Sequence, residues 1–259
     1  MSERGELLWD PSPEAVERSS MTRYMRWLEG ERGLRLDRDY HALWRWSTRE
    51  LEDFWGSIFD FFELRTSTPY ERVLAERTMP GAVWCPGARL NYAENLIAGK
   101  PANRLAVQHA SELRELDSLT WGELREQVAR VASALRALGV EPGDRVVAYM
   151  PNLPETLVAF LACASIGAVW SSCSPDFGAS SVIDRFAQIE PKLLLCVDGY
   201  RYNGRDFDRT ETVAGLLAEL PTVERTIVLP YLAPEPELGA LRDPITWAQL
   251  LASGDPGEI

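Results

Sequence analysis

The segment Gly143-Asp-Arg-Val-Val-Ala-Tyr-Met150 opens the part of the chain that decides the fold, which continues to Asp208. In this part an apolar strand pattern, a turn and an amphipathic helix pattern recur three times. The strands are short and apolar throughout, as is typical of strands buried in a parallel sheet. Strands that alternate with helices of this length form right-handed βαβ units, so we predict an α/β fold whose sheet is covered on both faces. We expect residues 104 to 229 to form one parallel sheet, with strands near 146–150, 168–171, 193–197 and 226–229.

Helix boundaries around this region follow from capping residues. Thr120-Trp-Gly-Glu123 has the pattern of a capping box, and Asn152-Leu-Pro-Glu155 predicts another helix start. A further helix is expected from Ser181. Leu105–His109 has a strand pattern, and the proline-rich residues 230–244 are predicted to be a loop.

Residues 1–98 differ from the rest because they hold six of the nine tryptophans. Apolar residues spaced three and four apart predict a helix over Met21–Glu31. Ser47-Thr-Arg-Glu50 has the pattern of a capping box that opens another helix. Large aromatic residues on a helix stripe are usually core. We therefore expect an aromatic-rich helical cap that packs on the following domain, with residues 98–103 as a linker.

Composition excludes several classes of function. The chain has 27 basic and 39 acidic residues and a net charge of -12, which disfavours nonspecific binding to nucleic acids or anionic membranes. The longest apolar run, residues 157–170, is shorter than the roughly 18 residues of a membrane span, and residues 1–6 lack the apolar core of a secretory signal. Cys163 and Cys196 fall in helix and strand patterns and are expected to be buried, reduced thiols, which favours a cytoplasmic location.

The turn after the second predicted strand is the first candidate site. Open parallel sheets bind ligands at the carboxyl ends of their strands, where Ser171-Ser-Cys-Ser-Pro-Asp-Phe-Gly178 lies. The same turn also fits a helix entry, with Asp176 as an N-terminal anion and Gly178 relieving strain. Cys173 has no histidine near it in the sequence, so we do not expect a nucleophile here. Two histidines and no Cys-x-x-Cys pair make a zinc site improbable.

Five motifs resemble those of the adenylate-forming acyl-CoA synthetases. They are Leu8-Trp-Asp-Pro-Ser-Pro13, Pro86-Gly-Ala-Arg-Leu-Asn-Tyr-Ala-Glu-Asn95, Tyr149-Met-Pro-Asn-Leu-Pro-Glu155, Ser171-Ser-Cys-Ser-Pro-Asp-Phe-Gly178 and Asp198-Gly-Tyr-Arg-Tyr-Asn-Gly-Arg205. The last two resemble the branch of the family that acts on acetoacetate. The resemblance implies a cap over 1–98 and the first part of an AMP-binding domain over 104–259.

The resemblance also implies a reaction in two steps. A carboxylate attacks ATP to give an acyl-adenylate and pyrophosphate, and the thiol of coenzyme A (CoA) then displaces AMP. The first step joins two anions and needs Mg²⁺ and a donor-rich phosphate cradle. In this family that cradle is a Ser/Thr/Gly-rich loop ending in lysine, which we expect to follow residue 259, as does the catalytic lysine. The substrates implied are acetoacetate, ATP and CoA, and the 259 residues alone are expected to be inactive.

What the resemblance assigns to this chain is part of the CoA site. Arg201 and Arg205 occupy the positions where related synthetases bind the 3′-phosphate of CoA, Gly204 lets the backbone approach it, and Phe177 and Gly178 belong to the loop that touches CoA. Guanidinium groups suit phosphate because they bind it bidentately. The arginines are four residues apart where the family has three. The alternative is a solvated loop whose arginines pair with Asp198, Asp206 or Asp208. The resemblance assigns no catalytic residue and no metal ligand to this chain.

Two other functions remain open at this stage. One is the same ligase reaction on another short-chain acid, such as acetate or propionate, because the family's acyl pocket lies downstream. The other is a non-catalytic binding or docking module that keeps half of the fold. The sequence predicts no oligomeric state.

Overall fold

The structure of the protein is a computed structural model that describes residues 5–257. It divides into two compact units, residues 1–90 and 91–259. The elements of the first unit are α1 (Pro13–Arg18), α2 (Ser20–Arg32), α3 (Tyr40–Arg49), α4 (Leu51–Phe61) and the antiparallel pair β1 (Leu74–Glu76) and β2 (Val83–Trp84).

The aromatic residues of the first unit form its core, and α2 confirms the helix predicted over Met21–Glu31. The ring of Phe61 lies 5.0 Å from that of Tyr24 and 5.6 Å from that of Trp27, and the Tyr24 and Trp27 rings are stacked on each other at 6.3 Å. The Tyr24 hydroxyl is buried with the Ser57 hydroxyl, 2.5 Å away. Edge-to-face rings and a paired hydroxyl explain how so many aromatic residues pack in a small unit.

The capping box predicted at residues 47–50 is wrong. Ser47 and Thr48 belong to the last turn of α3, where their hydroxyls donate to the carbonyl of Trp44 over 2.9 and 3.1 Å. Serine and threonine hydroxyls commonly bond back to the preceding turn in this way. The next helix, α4, begins after Glu50, whose side chain makes no capping bond.

The second unit holds the elements α5 (Tyr92–Ile97), β3 (Leu105–His109), β4 (Asp117–Thr120), α6 (Trp121–Ala137), β5 (Arg145–Tyr149), α7 (Pro154–Ser165), β6 (Val169–Cys173), α8 (Ala179–Phe186), β7 (Leu193–Val197), β8 (Gly199–Tyr202), β9 (Arg205–Asp208), α9 (Thr210–Glu219), β10 (Arg225–Leu229), β11 (Pro244–Thr246) and α10 (Trp247–Ser253). Five strands form one parallel sheet in the order β11-β10-β7-β5-β6. The four strands predicted near 146–150, 168–171, 193–197 and 226–229 all belong to it.

Alternate residues of β5, an inner strand of the sheet, face two separate apolar layers. Val146 and Ala148 of β5 pack with α6 and α7, whereas Val147 and Tyr149 pack with α8 and α9. Successive strand side chains point to opposite faces, so a strand that is apolar throughout needs a helix layer on each side. The predicted α/β fold with a parallel sheet covered on both faces is confirmed. Strand β6 lies at one edge of this sheet.

Several details of the second unit differ from the sequence predictions. The predicted strand Leu105–His109 forms but pairs antiparallel with β4 in a separate two-stranded sheet. Helix α7 has Leu153 as its N-cap without a side-chain bond, so Asn152 does not cap it, whereas the capping box at Thr120 is confirmed. Helix α8 begins two residues before Ser181. The loop after Pro230 ends at β11. No helix of the described residues is long and apolar enough to cross a membrane.

Candidate functional site

A cleft of about 450 Å³ lies at the carboxyl ends of the parallel strands. The segments that follow β5, β6, β7 and β10 all contribute to it, together with Ser111 from the loop between β3 and β4. Its lining residues are Ser111, Pro151, Asn152, Leu153, Ser174, Pro175, Asp176, Tyr200, Arg201, Tyr202 and Tyr231. Turns at this edge of a parallel sheet converge on one place, which is why such sheets bind their ligands there.

The turn after β6 is supported from beneath by Tyr149. The Tyr149 hydroxyl lies 2.7 Å from the carbonyl oxygen of Pro175 and 2.9 Å from that of Phe177. Burial raises the pKa of this phenol, so it stays a donor. Phe177 is 38% exposed and lies under the guanidinium of Arg185, and Gly178 is the N-cap of α8. The predicted helix entry is present, but Gly178 has a φ of -63°, which any residue adopts, so the expected relief of strain by this glycine is wrong. Contact between this turn and a ligand stays a prediction.

The segment after β7 is a β-hairpin and not an irregular loop. Strands β8 and β9 pair with Tyr202 opposite Arg205 and Arg201 opposite Asp206. Asn203 and Gly204 form the turn with φ of 52° and 72°. Left-handed values at both positions are those of the tight hairpin turn that Asn-Gly prefers. Because residues that face each other across the strands share a face and neighbours alternate, Arg201 and Arg205 project from opposite faces.

Arg201 lines the cleft and is paired with Asp206. Its Nε and Nη2 donate to the two carboxylate oxygens over 2.5 and 3.0 Å, which raises the pKa of Arg201 and lowers that of Asp206. One of the carboxylate partners considered from the sequence is therefore present. Arg205 is exposed, and in residues 5–257 the structure shows no bond for its side chain. The pairing leaves the Nη1 edge of Arg201 available for another acceptor.

The hairpin turn already binds a carboxylate. The main-chain N–H groups of Asn203 and Gly204 each donate to one oxygen of Glu112 over 2.7 Å. Two adjacent N–H groups that point to one place form an anion-binding concavity. The predicted backbone approach at Gly204 thus involves an acidic side chain of the loop between β3 and β4.

Asp198 does not pair with either arginine. It is buried, and its carboxylate accepts from the main-chain N–H groups of Tyr231, Leu232 and Ala233 over 2.6 to 2.9 Å. Asp198 therefore fixes the loop after β10 against the start of the hairpin.

The sequence did not point to Arg209, which connects the two walls of the cleft. Its Nε donates to the carbonyl of Pro175 over 2.7 Å, and its Nη2 donates to the Tyr200 hydroxyl over 3.0 Å. The guanidinium also lies over the Tyr200 ring at 5.1 Å. Its other acceptors, the carbonyls of Pro175 and Asp208, are main-chain atoms, which leave no signal in the sequence.

The thiols and the acidic side chains of the described residues bear on what chemistry the cleft could carry. In the part of the chain that the structure describes, no three His, Cys, Asp or Glu residues are grouped as metal ligands. Cys173 is buried at the end of β6. Burial raises the pKa of Cys163 to about 12 and also raises that of Cys196, so both are inert thiols as expected. The tyrosine rings and the Arg201 guanidinium that line the cleft suit a ligand with planar and anionic parts.

Comparisons with known proteins show the family of the chain. Residues 94–250 match the model of the AMP-binding enzymes, and residues 40–96 match that of the acetyl-coenzyme A synthetase N-terminus. Acetoacetyl-coenzyme A synthetase of Rhizobium meliloti (strain 1021) is 41% identical over 97% of this chain and 38% of its own length. That of Xenopus tropicalis is 36% identical over 100% of this chain and 40% of its own. The solved structure of acetoacetyl-CoA synthetase from Streptomyces lividans has a TM-score of 0.90 at 47% identity, covering 98% of this chain and 39% of that one.

The parallel sheet with a binding cleft at its carboxyl edge is thus the first part of an adenylate-forming fold. The chain belongs to the family of AMP-binding enzymes. It spans about two-fifths of the length of the curated relatives that it matches.

Proposed function

We propose that these residues are the N-terminal portion of an ATP-dependent acid–thiol ligase that converts acetoacetate, ATP and CoA to acetoacetyl-CoA, AMP and pyrophosphate. The observation that carries the proposal is the similarity of 98% of the chain, at a TM-score of 0.90, to an acetoacetyl-CoA synthetase structure. The proposal includes a cap over residues 1–98, the start of the AMP-binding domain over 104–259, and a cytoplasmic location. Three buried cysteines with free thiols are consistent with that location.

The role we propose for this chain is to hold part of CoA. The cleft offers Arg201 for a phosphate and exposes Phe177 at its turn, while Arg205 lies on the other face of the hairpin. Glu112 holds the N–H groups at Gly204, so a phosphate that used them would displace this carboxylate. We assign Arg201, Gly204, Arg205, Phe177 and Gly178 to the CoA site on these grounds.

Mg²⁺ and the phosphates of ATP belong elsewhere in this proposal. The described residues contain no group of three His, Cys, Asp or Glu that fits a metal. Mg²⁺ would supply charge stabilisation during attack on ATP, and this chain would contribute the fold on which that site is built.

The test is product formation by the complete protein that contains these residues. Acetoacetate, acetate and propionate are supplied in parallel with ATP, Mg²⁺ and CoA, and acyl-CoA and AMP are quantified by chromatography. We expect acetoacetate to have the highest kcat/KM. A preference for acetate or propionate would mean that the protein is an acid–thiol ligase whose substrate is that acid and not acetoacetate. No AMP from any acid, with CoA or another partner still bound, would favour the docking module.

A further inference from the structure

We infer that Tyr149 and Arg209 are positioning residues for the thioester-forming step: together they hold the turn of residues 174–178 against the β8–β9 hairpin and so fix the shape of the cleft. This inference rests on the proposed function, because it assumes that the cleft receives CoA. It adds two residues that do not line the cleft.

Tyr149 supports the turn from inside the protein. It is fully buried at the last position of β5, with its ring among the apolar residues between the sheet and α8. Its hydroxyl crosses to the neighbouring strand and meets the carbonyls of Pro175 and Phe177. The one proton of this hydroxyl is thus shared between two carbonyls of the same turn, and these contacts fix the distance between the turn and the sheet.

Arg209 ties the same turn to the hairpin. The carbonyl of Pro175 accepts from Arg209 as well as from Tyr149. The guanidinium then reaches the Tyr200 hydroxyl and lies over the stacked rings of Tyr200 and Phe207, which are 5.2 Å apart. Its main-chain N–H donates to the carbonyl of Asp198 over 2.7 Å, which anchors the residue where the hairpin leaves the sheet.

The two residues act through the walls of the cleft. Pro175 and Tyr200 line it from opposite sides, and neither Tyr149 nor Arg209 is among the lining residues. The polar atoms of both side chains are directed at protein carbonyls and at Tyr200. If the hydrogen bonds of Tyr149 and Arg209 are lost, the distance between the turn and the hairpin changes, and the affinity for a ligand held by both walls falls.

The experiment compares Y149F and R209K in the complete protein with R242K as a matched control. Arg242 also donates to three main-chain carbonyls, those of Leu217, Leu220 and Val223, but it lies at the amino edge of the sheet. Three quantities are measured: the KM for CoA, the rate of acetoacetate-dependent pyrophosphate exchange, and hydrogen–deuterium exchange at the amides of residues 176–178.

We expect faster amide exchange at residues 176–178 in Y149F and R209K but not in R242K. Loss of one such hydrogen bond should raise the KM for CoA about threefold to tenfold in Y149F. The increase should be larger in R209K, because lysine keeps the charge but loses the fork and the stacking. Acetoacetate-dependent pyrophosphate exchange should stay at the parent value in both variants.

Unchanged amide hydrogen exchange at residues 176–178 would show that the two side chains do not hold the turn. Faster amide exchange with an unchanged KM for CoA, or an equal rise of that KM in R242K, would also overturn the inference. If the parent forms no acetoacetyl-CoA, the proposed function fails, and calorimetric titration of CoA decides the inference separately. Weaker CoA binding by Y149F and R209K than by the parent would then support it, and a parent that binds no CoA would overturn it.

Discussion

Arg201 and Arg205 are close in the sequence but belong to opposite faces of the hairpin. We therefore do not expect one phosphate to contact both guanidinium groups. We propose that Arg201, which lines the cleft, makes the main contact with the 3′-phosphate of CoA, and that Arg205 contributes from the rim.

The expected result for R201A in the complete protein is a higher KM for CoA. Loss of one charge-assisted contact costs on the order of 1.5–3 kcal/mol, which is about tenfold to hundredfold in KM. R205A should raise it less, and pyrophosphate exchange should be unaffected in both. R225A is the control, because Arg225 forms a similar pair with Asp243 at the amino edge of the sheet.

Dephospho-CoA makes the comparison specific to the phosphate. The parent should discriminate against it, and R201A should have lost most of that discrimination. If R201A and R205A both discriminate as strongly as the parent, neither arginine recognises the phosphate, and the pairing of Arg201 with Asp206 is merely a surface ion pair.

Asp144 makes stability depend on acid pH. Its carboxylate accepts from the Glu141 N–H over 3.0 Å, and this bond, followed by that from Lys192, holds its pKa below the ordinary 3.8. A lowered folded-state pKa contributes stability above the unfolded value and loses it as the pH falls through the folded value.

At pH 7 the free energy of unfolding of D144N, measured by urea titration, should therefore be about 1 kcal/mol lower than that of the parent. The gap in the free energy of unfolding should narrow as the pH falls below 3.8, where the parent also loses the charge. A gap of constant size from pH 7 to acid pH would mean that Asp144 acts through packing and not through its charge.

At the scale of the element, the β8–β9 hairpin depends on Gly199. A Cβ at this position would lie 2.6 Å from both the Leu232 Cδ2 and the main-chain oxygen of Phe207. The carbonyl belongs to the opposite strand and cannot move without breaking the ladder. The Leu232 side chain belongs to the loop held by Asp198. The hairpin and this loop can therefore pack this closely only because residue 199 has no side chain.

G199A should lower the free energy of unfolding by about 1–3 kcal/mol in urea titrations of the chain. G215A is the control: Gly215 lies within α9 with nothing within 4 Å of the added carbon, so it should stabilise by about 0.5–1 kcal/mol. Equal stability of G199A and the parent would show that the hairpin can shift away from the loop.

The sequence predicted the parallel strands because most of their residues are apolar on both faces, Ser171 and Thr226 being exceptions, as a sheet covered on both faces requires. It did not predict the partner of Leu105–His109, because a strand pattern contains no information on pairing. The hairpin was missed although Asn203-Gly204 between alternating residues is a strong signal for it. Arg209 had no signal at all, since its acceptor at Pro175 lies 34 residues away and is a main-chain atom.

At the scale of the whole molecule, the chain forms the parallel sheet of an AMP-binding enzyme, and we assign no catalytic residue to it. We expect purified residues 1–259, with acetoacetate, ATP and Mg²⁺, to release no pyrophosphate, because the resemblance implies that the phosphate cradle and catalytic lysine of the family lie outside these residues. Pyrophosphate is measured by a coupled assay, with the complete protein as the positive control. Turnover by the purified 259 residues, free of host enzyme, would contradict the assignment.

Strand β6 has a consequence for how a preparation of these residues behaves. It is the last strand on its side of the sheet, no strand of the described part pairs with its outer row of N–H and C=O groups, and Val169 is 47% exposed. Such a row is a template for a strand of another copy. Purified residues 1–259 should therefore aggregate as their concentration rises, and V169K should delay this in light-scattering measurements, because edge lysines oppose strand addition.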